Sequence, residues 1–373
     1  MSANNLMAIL FANTNDDMLL PLTKERSMAS LPFGSRYRVI DFHLSNLVNA
    51  GVNTVQIIPK SNYRSLMEHI GSGKAWDLDR KNGGLMFLPP FISGQDTATY
   101  HGHIDAISKI EKFISASKEE YIILCDCDTV LNIDIDKMLD SHIKSGADVT
   151  ISYKTGKLPK NTKGRSVLNV AENGFLNEIL ISKDGGRECN FGLGITIFNR
   201  KQLLELSKDA AERGYETLSR GIISKNMEKL KVFCYEVDGF VAVIDSVNSY
   251  INANMQVLNP EVRKSLFNKE RPVYTKTRDD MPTKYGLKSE VKNTICGEGC
   301  VIEGKVENCV LFRGVKVGKG SVVKNSILMQ ETVIGDNCNI EYLTTDKNVE
   351  IADNTDLRGA ENNYFVINGN ENI

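Results

Sequence analysis

Residues 296–302 read CGEGCVI, and the same pattern returns as VGKGSVV at 317–323, IGDNCNI at 334–340 and IADNTDL at 351–357. Each copy begins with an apolar residue and a small one, followed by two mostly polar residues, a second small one and any residue. The next residue is apolar again, so the apolar position repeats every six residues. Such a period predicts a triangular β-solenoid whose flat faces turn side chains inward. At about 18 residues per coil, residues 291–360 predict about four coils of a left-handed parallel β-helix.

The chain has eight cysteines, and the repeats place three of them, Cys296, Cys300 and Cys338, at inward apolar or small positions. A free thiol at such a position behaves as a small hydrophobic side chain. The spacings Cys125-x-Cys127 and Cys296-x3-Cys300 do not form the paired CxxC pattern of zinc sites. The cysteines are therefore predicted to be structural, with neither a disulfide framework nor a thiolate metal site.

Upstream of the repeats, short β-branched runs alternate with longer amphipathic stretches, which predicts an α/β domain with a mostly parallel sheet. The predicted strands are Leu6–Ala12, Thr54–Ile58, Tyr121–Cys125, Val149–Tyr153, Ile195–Phe198 and Lys231–Val237. The predicted helices include Phe42–Ala50, His103–Ser115 and Ile135–Lys144. Ligands of such sheets bind beyond the carboxyl ends of the strands, so functional residues are expected in the loops that follow strands.

The chain divides into three predicted regions. Residues 1–259 form the α/β domain, 260–289 a linker, and 290–373 the β-helix domain. The linker prediction rests on Pro260, Pro272 and Pro282, which lie among many charges without a sustained period.

Composition argues against several classes of protein. Lys and Arg number 45 and Asp and Glu 47, for a net charge of −2, so no strongly basic surface is expected to hold a nucleic acid. The apolar run LMAILFA from Leu6 is far shorter than the ~20 residues of a membrane span, and no basic segment precedes it as in a signal peptide. A cytoplasmic protein that binds neither nucleic acid nor membrane is expected.

Several stretches carry a specific resemblance to a known family. They are residues 20–52, which include PFGSRYRVIDFHLSN, together with GSGKAWDLDR from Gly71, YIILCDCD from Tyr121 and FVAVIDSVNSYINANMQVL from Phe240. With the C-terminal repeats, they resemble bacterial glucose-1-phosphate adenylyltransferases (ADP-glucose pyrophosphorylases) over nearly the whole chain. The resemblance implies a Rossmann-like nucleotidyltransferase domain followed by the β-helix. It also implies a role in making ADP-glucose and diphosphate from ATP and glucose 1-phosphate, the sugar-donor step of glycogen biosynthesis.

The loop after the first strand departs from that family. The family has Gly-Gly-x-Gly-Thr-Arg-Leu, whose glycines let backbone amides approach phosphates and whose arginine stabilises charge in the transition state. Residues 13–19 here read NTNDDML, with Met18 at the arginine position and Asp16 and Asp17 where a triphosphate would lie. A like-charge pair about 4 Å apart costs ~4 kcal/mol at an effective dielectric constant of 20. We therefore expect a degenerate phosphate loop and little activity from this chain alone, even if both carboxylates turn into solvent.

The resemblance implies four substrate-binding positions, in a site that is otherwise changed. These positions are Arg26, Gly102, Asp105 and Gly194. Nearby, Met28 stands where the family has a phosphate-binding lysine. On the sugar side, residues 181–182 (Ile-Ser) replace a Glu-Lys pair, and residues 217–219 (Thr-Leu-Ser) replace Asp-Phe-Gly. The loss of these polar partners predicts poor sugar binding, because sugar hydroxyls would go unpaired.

Two aspartates survive at the positions where the family binds metal. Asp128 lies in CDCD at residues 125–128, and Asp245 lies in VIDSV at residues 243–247. Paired carboxylates are what Mg²⁺ uses when it bridges phosphates, so Mg²⁺ is the implied cofactor. A purely structural role, as capping or hydrogen-bonded groups, is an equal alternative for both residues.

Framework motifs are kept while phosphate-handling positions are changed, and this pattern resembles the D-type subunit of the family, which accompanies a catalytic C-type subunit. The resemblance implies a hetero-oligomer, expected to be a heterotetramer, in which this chain tunes its partner. Arg36, Arg38 and Arg313 are the implied positions for a phosphorylated metabolite effector, because guanidinium groups pair with phosphate in a bidentate manner. Ordinary solvated arginines are the alternative.

Three other functions are alternatives to this one. An independently active sugar-1-phosphate nucleotidyltransferase predicts ATP binding that needs Mg²⁺, Asp128 and Asp245. A purely structural assembly subunit cannot be separated from a regulatory one by sequence. An acyltransferase, the activity of other hexapeptide proteins, is disfavoured because no histidine follows His142 to act as its base.

Overall fold

The computed structural model describes residues 5–89, 100–158, 162, 164–182, 185–361 and 363–373. An α/β domain with a nine-stranded mixed sheet occupies the N-terminal part, and a β-helix the C-terminal part. Both parts of the predicted fold class are confirmed. No helix in the described ranges is long and apolar enough to cross a membrane.

The centre of the sheet is parallel, with the order β6-β1-β4-β5, and its other side is built by β11, β8, β12, β9 and β10. Strand β11 runs antiparallel to β6, β8 and β9, which makes the sheet mixed. The strands of the domain are β1 Leu6–Phe11, β2 Pro32–Phe33, β3 Tyr37–Arg38, β4 Thr54–Ile58, β5 Gly84–Phe87, β6 Tyr121–Asp126, β7 Thr129–Leu131, β8 Val149–Lys157, β9 Ser166–Val170, β10 Leu176–Ile181, β11 Glu188–Asn199, β12 Val232–Glu236 and β13 Val241–Val243. Every residue of β1 is buried, because helices cover both faces of the central strands.

Four of the described α-helices begin after a residue whose side chain accepts from one of their first amides. Asp134 accepts from the amide of Lys137, and Ser246 accepts from the amide of Ser249. The α-helices are α1 Val39–Asn49, α2 Arg64–Ile70, α3 His103–Lys109, α4 Glu111–Ala116, α5 Ile135–Ser145, α6 Arg200–Glu212, α7 Val247–Gln256 and α8 Pro260–Leu266. Short 3₁₀ helices lie at Asp16–Leu19, Met28–Ser30, Lys74–Trp76 and Ser224–Asn226, and a π-helix at Leu218–Ile223.

The β-helix has three flat parallel sheets of five short strands each. The first sheet contains β14 Lys284–Tyr285, β17 Val301–Ile302, β20 Lys316–Val317, β23 Val333–Ile334 and β26 Glu350–Ile351. The second contains β15 Glu290–Lys292, β18 Lys305–Glu307, β21 Val322–Lys324, β24 Asn339–Glu341 and β27 Asp356–Arg358. The third contains β16 Ile295–Cys296, β19 Val310–Leu311, β22 Ile327–Leu328, β25 Leu343–Thr345 and β28 Phe365–Ile367. Val301 pairs with Lys316, 15 residues on, and Lys316 with Val333, 17 residues on, so these coils are shorter than the expected 18. The last coil is longer, since Leu343 pairs with Phe365, 22 residues on.

Asparagines turn the corners of the coils. Asn308, Asn325 and Asn337 have positive φ, a conformation that asparagine tolerates better than most residues. Two of them also stack along the axis, since Asn308 Nδ2 donates to Asn325 Oδ1 at 3.3 Å. Inside the coils, the thiols of Cys300 and Cys338 are buried and unpaired by disulfides, as predicted, whereas Cys296 is only partly buried.

The two domains share an apolar core. Phe312 and Met329 of the β-helix belong to one buried cluster with Met28, Phe42 and Tyr250 of the α/β domain. The region predicted as a linker, 260–289, is ordered at both ends, since it begins with α8 and its strand β14 pairs with β17. The β-helix is therefore held against the α/β domain by packing, and side chains from both domains can meet in one site.

Candidate functional site

A cavity of about 340 Å³ opens at the carboxyl ends of β1 and β6, where sheets of this kind bind ligands. Residues from these ends, from the start of α3, from β9 to β11, from the π-helix and from the end of β13 line it. They include Phe11, Thr14, Asn15, His103, Asp126, Asp128, Arg165, Ile181, Gly194, Thr217, Leu218, Ser219, Arg220 and Asp245. The sequence changes noted on the sugar side, at 181 and 217–219, therefore lie in the wall of this cavity.

The loop that follows β1 is tied down by its own side chains. Asn13 accepts from the amide of Lys60 at 2.7 Å and donates to the carbonyl of Ser61 at 3.0 Å. Asn15 donates to a carboxylate oxygen of Asp128 at 3.1 Å. These bonds fix the loop at the mouth of the cavity.

Asp16 is turned inward, in contrast to the alternative of two solvated carboxylates. Its side chain accepts from the amide of Met28 at 2.8 Å and from Asn13, and Thr23 Oγ1 donates to its carbonyl at 2.6 Å. Burial raises the pKa of Asp16, and the bond from Met28 opposes that rise. Asp17 is exposed to solvent. One of the two carboxylates is thus part of the loop's internal structure.

His103 begins α3 and pairs with Asp126 at the end of β6. Its Nε2 lies 2.7 Å from Asp126 Oδ1, and its ring packs edge-on against Phe11. Burial alone would lower the pKa of His103, but the Asp126 carboxylate raises it above the ordinary value. His103 is thus the first residue of α3, and its ring is the partner of a carboxylate in the cavity.

Asp128 is held by a guanidinium group that the sequence did not single out. Arg165 Nη2 lies 2.6 Å from Asp128 Oδ2 and Nη1 lies 3.4 Å from Oδ1, with both side chains less than a tenth exposed. Burial alone would lower the pKa of Arg165, and the Asp128 carboxylate more than restores it. Burial raises the pKa of Asp128, and Arg165 opposes this. The two groups form a buried ion pair in the cavity wall.

Asp245 lies beside this pair with its carboxylate unpartnered. The residue is 8% exposed, and neither Oδ1 nor Oδ2 has a hydrogen-bond partner among the described residues. Its charge acts on both Asp128 and Arg165, which places the three groups in one electrostatic unit.

The fit of these residues to Mg²⁺ is poor. Mg²⁺ needs near-octahedral oxygen ligands at about 2.0–2.1 Å. Both oxygens of Asp128 face Arg165, and one of them also accepts from Asn15. Within the described ranges, no three His, Cys, Asp or Glu side chains gather as a metal ligand set. The chain as described does not suit a resident Mg²⁺ while Arg165 is in place, and the predicted metal role of Asp128 and Asp245 stays a prediction.

Of the four implied substrate positions, only Gly194 lies in this cavity. Its φ is +70°, and a Cβ there would lie 2.7 Å from Cβ of Asp126, so glycine gives Asp126 its place. Gly102 lines a neighbouring cavity of about 180 Å³, and a Cβ on it would lie 2.4 Å from the carbonyl oxygen of Glu216. Both glycines thus have a packing reason as well as the implied binding role.

The other two implied substrate residues make internal contacts. Asp105 accepts from the amide of His101 at 3.0 Å and lies 3.6 Å from Lys109, at the start of α3. Arg26 forms a bidentate ion pair with Asp346 of the β-helix, at 2.7 and 3.0 Å. The structure therefore does not bring the four positions together in one cavity.

Two of the three implied effector residues share one carboxylate. Arg36 lies 3.4 Å and Arg313 2.9 Å from Glu298, which stands between them. Arg38 points elsewhere and donates to the carbonyl and hydroxyl oxygens of Ser65, both at 2.8 Å. The three arginines lie near the boundary between the domains but do not form one cluster.

A second cationic group surrounds Arg38. Burial lowers the pKa of Arg38 to about 10, and the charges of Arg26 and Arg278 act in the same direction. Burial lowers the pKa of Lys347, in the β-helix, to about 7, helped by Arg38, Arg26 and Arg278 and opposed by Asp346. Four cationic side chains from both domains thus repel one another, while Asp346 pairs with Arg26 and the carboxylates of Asp41 and Glu68 act on Arg38. We call Arg26, Arg38, Arg278 and Lys347 the interdomain cation cluster.

We expect Lys347→Met to stabilise the folded chain by on the order of 2 kcal/mol at pH 7.5. Unfolded Lys347 keeps its proton up to about its ordinary pKa of 10.5, whereas the folded chain releases it above about 7. Between these values the unfolded state binds more protons, so the stability of the wild type rises with pH, and the variant lacks this part of the rise. Urea unfolding from pH 6 to 10 measures it; parallel profiles for the two chains would contradict the repulsion.

Sequence reasoning missed Arg165 and Lys347. Arg165 lies 37 residues from Asp128 along the chain, and Lys347 lies on a different domain from Arg38. Neither belongs to a local motif. The available signal for Arg165 was indirect: an aspartate kept at a metal position, without its usual surroundings, needs another cation.

Comparison with known proteins agrees with the architecture. The nucleotidyl transferase family matches residues 8–163, and the GlmU-like C-terminal hexapeptide family matches residues 281–363. The chain is 35% identical to the glycogen biosynthesis protein GlgD of Bacillus subtilis over 370 residues, covering 98% of this chain and 96% of that one. It is 38% identical to GlgD of Geobacillus stearothermophilus, covering 86% and 83% of the two chains.

Catalytic relatives match as well. The glucose-1-phosphate adenylyltransferase of Clostridium perfringens strain SM101 is 34% identical over 338 residues, covering 90% of this chain and 87% of that one. The resemblance drawn from the motifs is therefore confirmed. With a nucleotidyltransferase domain, a hexapeptide β-helix and near full-length similarity to both kinds of relative, this chain belongs to the glucose-1-phosphate adenylyltransferase family of glycogen biosynthesis, which includes the GlgD proteins.

Proposed function

We propose that this chain is a GlgD-type subunit that has little adenylyltransferase activity of its own and tunes a catalytic partner in the cytoplasm. The reaction of the assembly would be that of the catalytic relatives, ATP plus glucose 1-phosphate giving ADP-glucose and diphosphate. Phosphoryl and nucleotidyl transfer depend mostly on positioning and on cations around the phosphates. The proposal therefore depends on which amides and cations of this chain are free to bind a triphosphate.

The observation that carries the proposal is that the polar groups of the loop after β1 bind one another. The amide of Met28 is taken by Asp16, and the side chain of Asn15 by Asp128. Met18 is exposed at the position of the family's arginine. A triphosphate at this loop would find the amide of Met28 and the side chain of Asn15 already bonded and no guanidinium at position 18. It would therefore lack the charge-assisted hydrogen bonds that stabilise phosphate oxygens.

The retained architecture supports a role in an assembly. A subunit that binds the active conformation of its partner shifts the partner's population toward that conformation without chemistry of its own. The β-helix, with its three flat parallel sheets, supplies surface for such contacts. A heterotetramer with a C-type subunit is the assembly we propose.

We also propose that a phosphorylated metabolite acts at the domain boundary. The interdomain cation cluster supports this, since Arg26, Arg38 and Arg278 all disfavour the protonated form of Lys347, and a bound anion would relieve this repulsion. Arg36 and Arg313, which share Glu298, flank the same boundary. Inorganic phosphate should raise the melting temperature of the wild type more than that of Lys347→Met, because the variant has lost one of the four cations.

The function is tested by assaying ADP-glucose formation with three preparations: this chain alone, a C-type glucose-1-phosphate adenylyltransferase alone, and the two together. We expect this chain alone to be slower than the catalytic chain by about a hundredfold or more, since loss of transition-state charge stabilisation has effects of this size. The mixture should exceed the catalytic chain alone at the same concentration of catalytic sites.

Two results would contradict the proposal. Robust synthesis by this chain alone would favour the independently active enzyme. Co-purification of the two chains without any change in rate or effector response would favour the purely structural subunit. A mixture with bovine serum albumin in place of this chain controls for non-specific stabilisation.

A further inference from the structure

We propose that Arg165 is a built-in counter-cation that takes the place of a divalent metal ion in the cavity and keeps such ions out. The inference deepens the proposed function, on which it rests for the identity of the cavity. Its test measures metal binding rather than synthesis, so the two can fail separately.

Arg165 faces the carboxylate of Asp128 with both of its terminal nitrogens. Nη2 lies 2.6 Å from Oδ2 and Nη1 lies 3.4 Å from Oδ1. Nη1 also lies 3.4 Å from the carbonyl oxygen of Gly192. Since Asn15 donates to Asp128 Oδ2 at 3.1 Å, protein donors take three of the ~four acceptor positions of this carboxylate.

The carboxylates of the cavity have protein cations as partners. Three carboxylates line the cavity, those of Asp126, Asp128 and Asp245. His103 pairs with the first and Arg165 with the second, while both oxygens of Asp245 lack partners in the described part of the chain. The charges of Asp126 and Asp245 also act on Arg165, which therefore serves all three carboxylates of the cavity. A dication placed between Asp128 and Asp245 would meet this guanidinium at close range.

Backbone hydrogen bonds anchor Arg165 to the sheet. It directly precedes β9, and its carbonyl accepts from the amide of Ser182 at 2.7 Å, while the amide of Gly164 donates to Ser182 at 2.9 Å. These two bonds extend the β9–β10 ladder up to Arg165. The guanidinium is thus presented to Asp128 from the sheet itself, as a fixed charge rather than a mobile one.

A purely structural ion pair does not explain this arrangement. Buried ion pairs are weak stabilisers compared with apolar contacts, because desolvation offsets their attraction. An apolar pair would fill the same wall, and Asp245 would not be left with two unpartnered oxygens. The arrangement is instead that of two carboxylates, Asp128 and Asp245, placed to bind a metal ion, with the guanidinium of Arg165 in place of the ion.

Titration with Mn²⁺, with free Mn²⁺ followed by electron paramagnetic resonance at fixed ionic strength, tests the inference. We expect no saturable site on the wild-type chain at millimolar Mn²⁺. Arg165→Gln should gain one site, with affinity at least about tenfold above any wild-type binding. The double variant Arg165→Gln with Asp245→Asn should lose that site again, because it removes half of the carboxylate pair.

Arg220→Gln is the matched control. Arg220 lines the same cavity but makes no ion pair with a described carboxylate, so its removal should leave Mn²⁺ binding at the wild-type level. An equal gain in this variant would mean that general cavity charge, rather than the Arg165 position, excludes the ion.

Two outcomes would overturn the inference. One is a stoichiometric Mn²⁺ site on the wild-type chain that is lost in Asp128→Asn, a measurement that does not depend on any arginine variant folding. The other is an Arg165→Gln chain that has the wild-type circular dichroism spectrum but gains no site. If Arg165→Gln does not fold, the double variant Arg165→Met with Asp128→Leu shows whether an apolar pair restores folding. The titration of the wild-type chain then still decides whether it binds Mn²⁺.

Discussion

Arg26→Met is expected to lower the free energy of unfolding by about 3–5 kcal/mol, since it breaks a buried ion pair from one side. Arg26 and Asp346 have side chains only 7% and 9% exposed and meet through two hydrogen bonds, at 2.7 and 3.0 Å. Without Arg26, Asp346 keeps the amide of Lys347 as a hydrogen-bond donor and loses its guanidinium partner. Because the pair joins the two domains, we expect the urea midpoint of both domains to fall.

The double variant Arg26→Met with Asp346→Leu separates this cause from a general packing defect. Replacing both partners by apolar groups removes the stranded charge, so the double variant should recover most of the stability. Arg64→Met is the matched control, because the Arg64–Glu68 pair is 92% and 62% exposed and contributes within about 0.5 kcal/mol. A loss below about 1 kcal/mol for Arg26→Met would show that solvent already screens the pair.

This experiment also bears on the role of Arg26 implied by the family resemblance. A substrate-binding arginine is expected to affect catalysis more than stability, whereas an interdomain ion pair affects stability first. A stable Arg26→Met chain would return Arg26 to the list of candidate ligands for phosphate.

Local patterns predicted the fold well. The strand Thr54–Ile58 has its predicted bounds, and Leu6–Phe11 ends one residue early. The predicted helix His103–Ser115 is interrupted at Ile110, which separates α3 from α4, although the apolar spacing continues through both. Strand β11 starts at Glu188 rather than Ile195, because its first half is stabilised by pairing with β8, a partner that the sequence does not name.

The candidate site was harder to predict, because its residues are brought together by the fold. Local substitutions such as Met18 for arginine could be read from the loop itself. What replaces the lost contacts could not: Asp16 reaches the amide of Met28, and Arg165 reaches Asp128 across the cavity. Polar partners far apart in sequence leave no periodic signal, whereas apolar residues that face one core do.

The same limit applies to the corners of the β-helix, where a glycine is needed for space rather than for φ. A Cβ on Gly304 would lie 2.4 Å from the carbonyl oxygen of Ser321 and 2.7 Å from that of Gly318, both in the next coil. The carbonyl of Ser321 already accepts from the amide of Lys305 at 2.8 Å, so the corner cannot move away without weakening that bond. The coils are therefore stacked as closely as their backbones allow at this corner.

Gly304→Ala is accordingly expected to cost about 2–4 kcal/mol, because an added methyl group must push two backbone segments apart in a packed stack. In a solenoid each coil contacts only its neighbours, so the defect should fall on the junction between the coils of β17 and β20 and loosen the coils on the N-terminal side of it. Relative to the wild type, amide hydrogen exchange should become faster in β14 to β18 to a greater extent than in β24 to β28. Urea unfolding should give the total loss in the free energy of unfolding.

Gly156→Ala is the matched control for this prediction, since it makes the same substitution in β8 at a glycine of ordinary φ whose added Cβ would meet only the ring of Phe191, at 3.9 Å. That variant should be neutral or slightly more stable, because alanine restricts the unfolded chain. Equal effects at the two glycines would mean that the corner of the β-helix yields easily. The orientation of Glu298 and Arg313, which lie on the coils beside Gly304, would then not depend on tight stacking either.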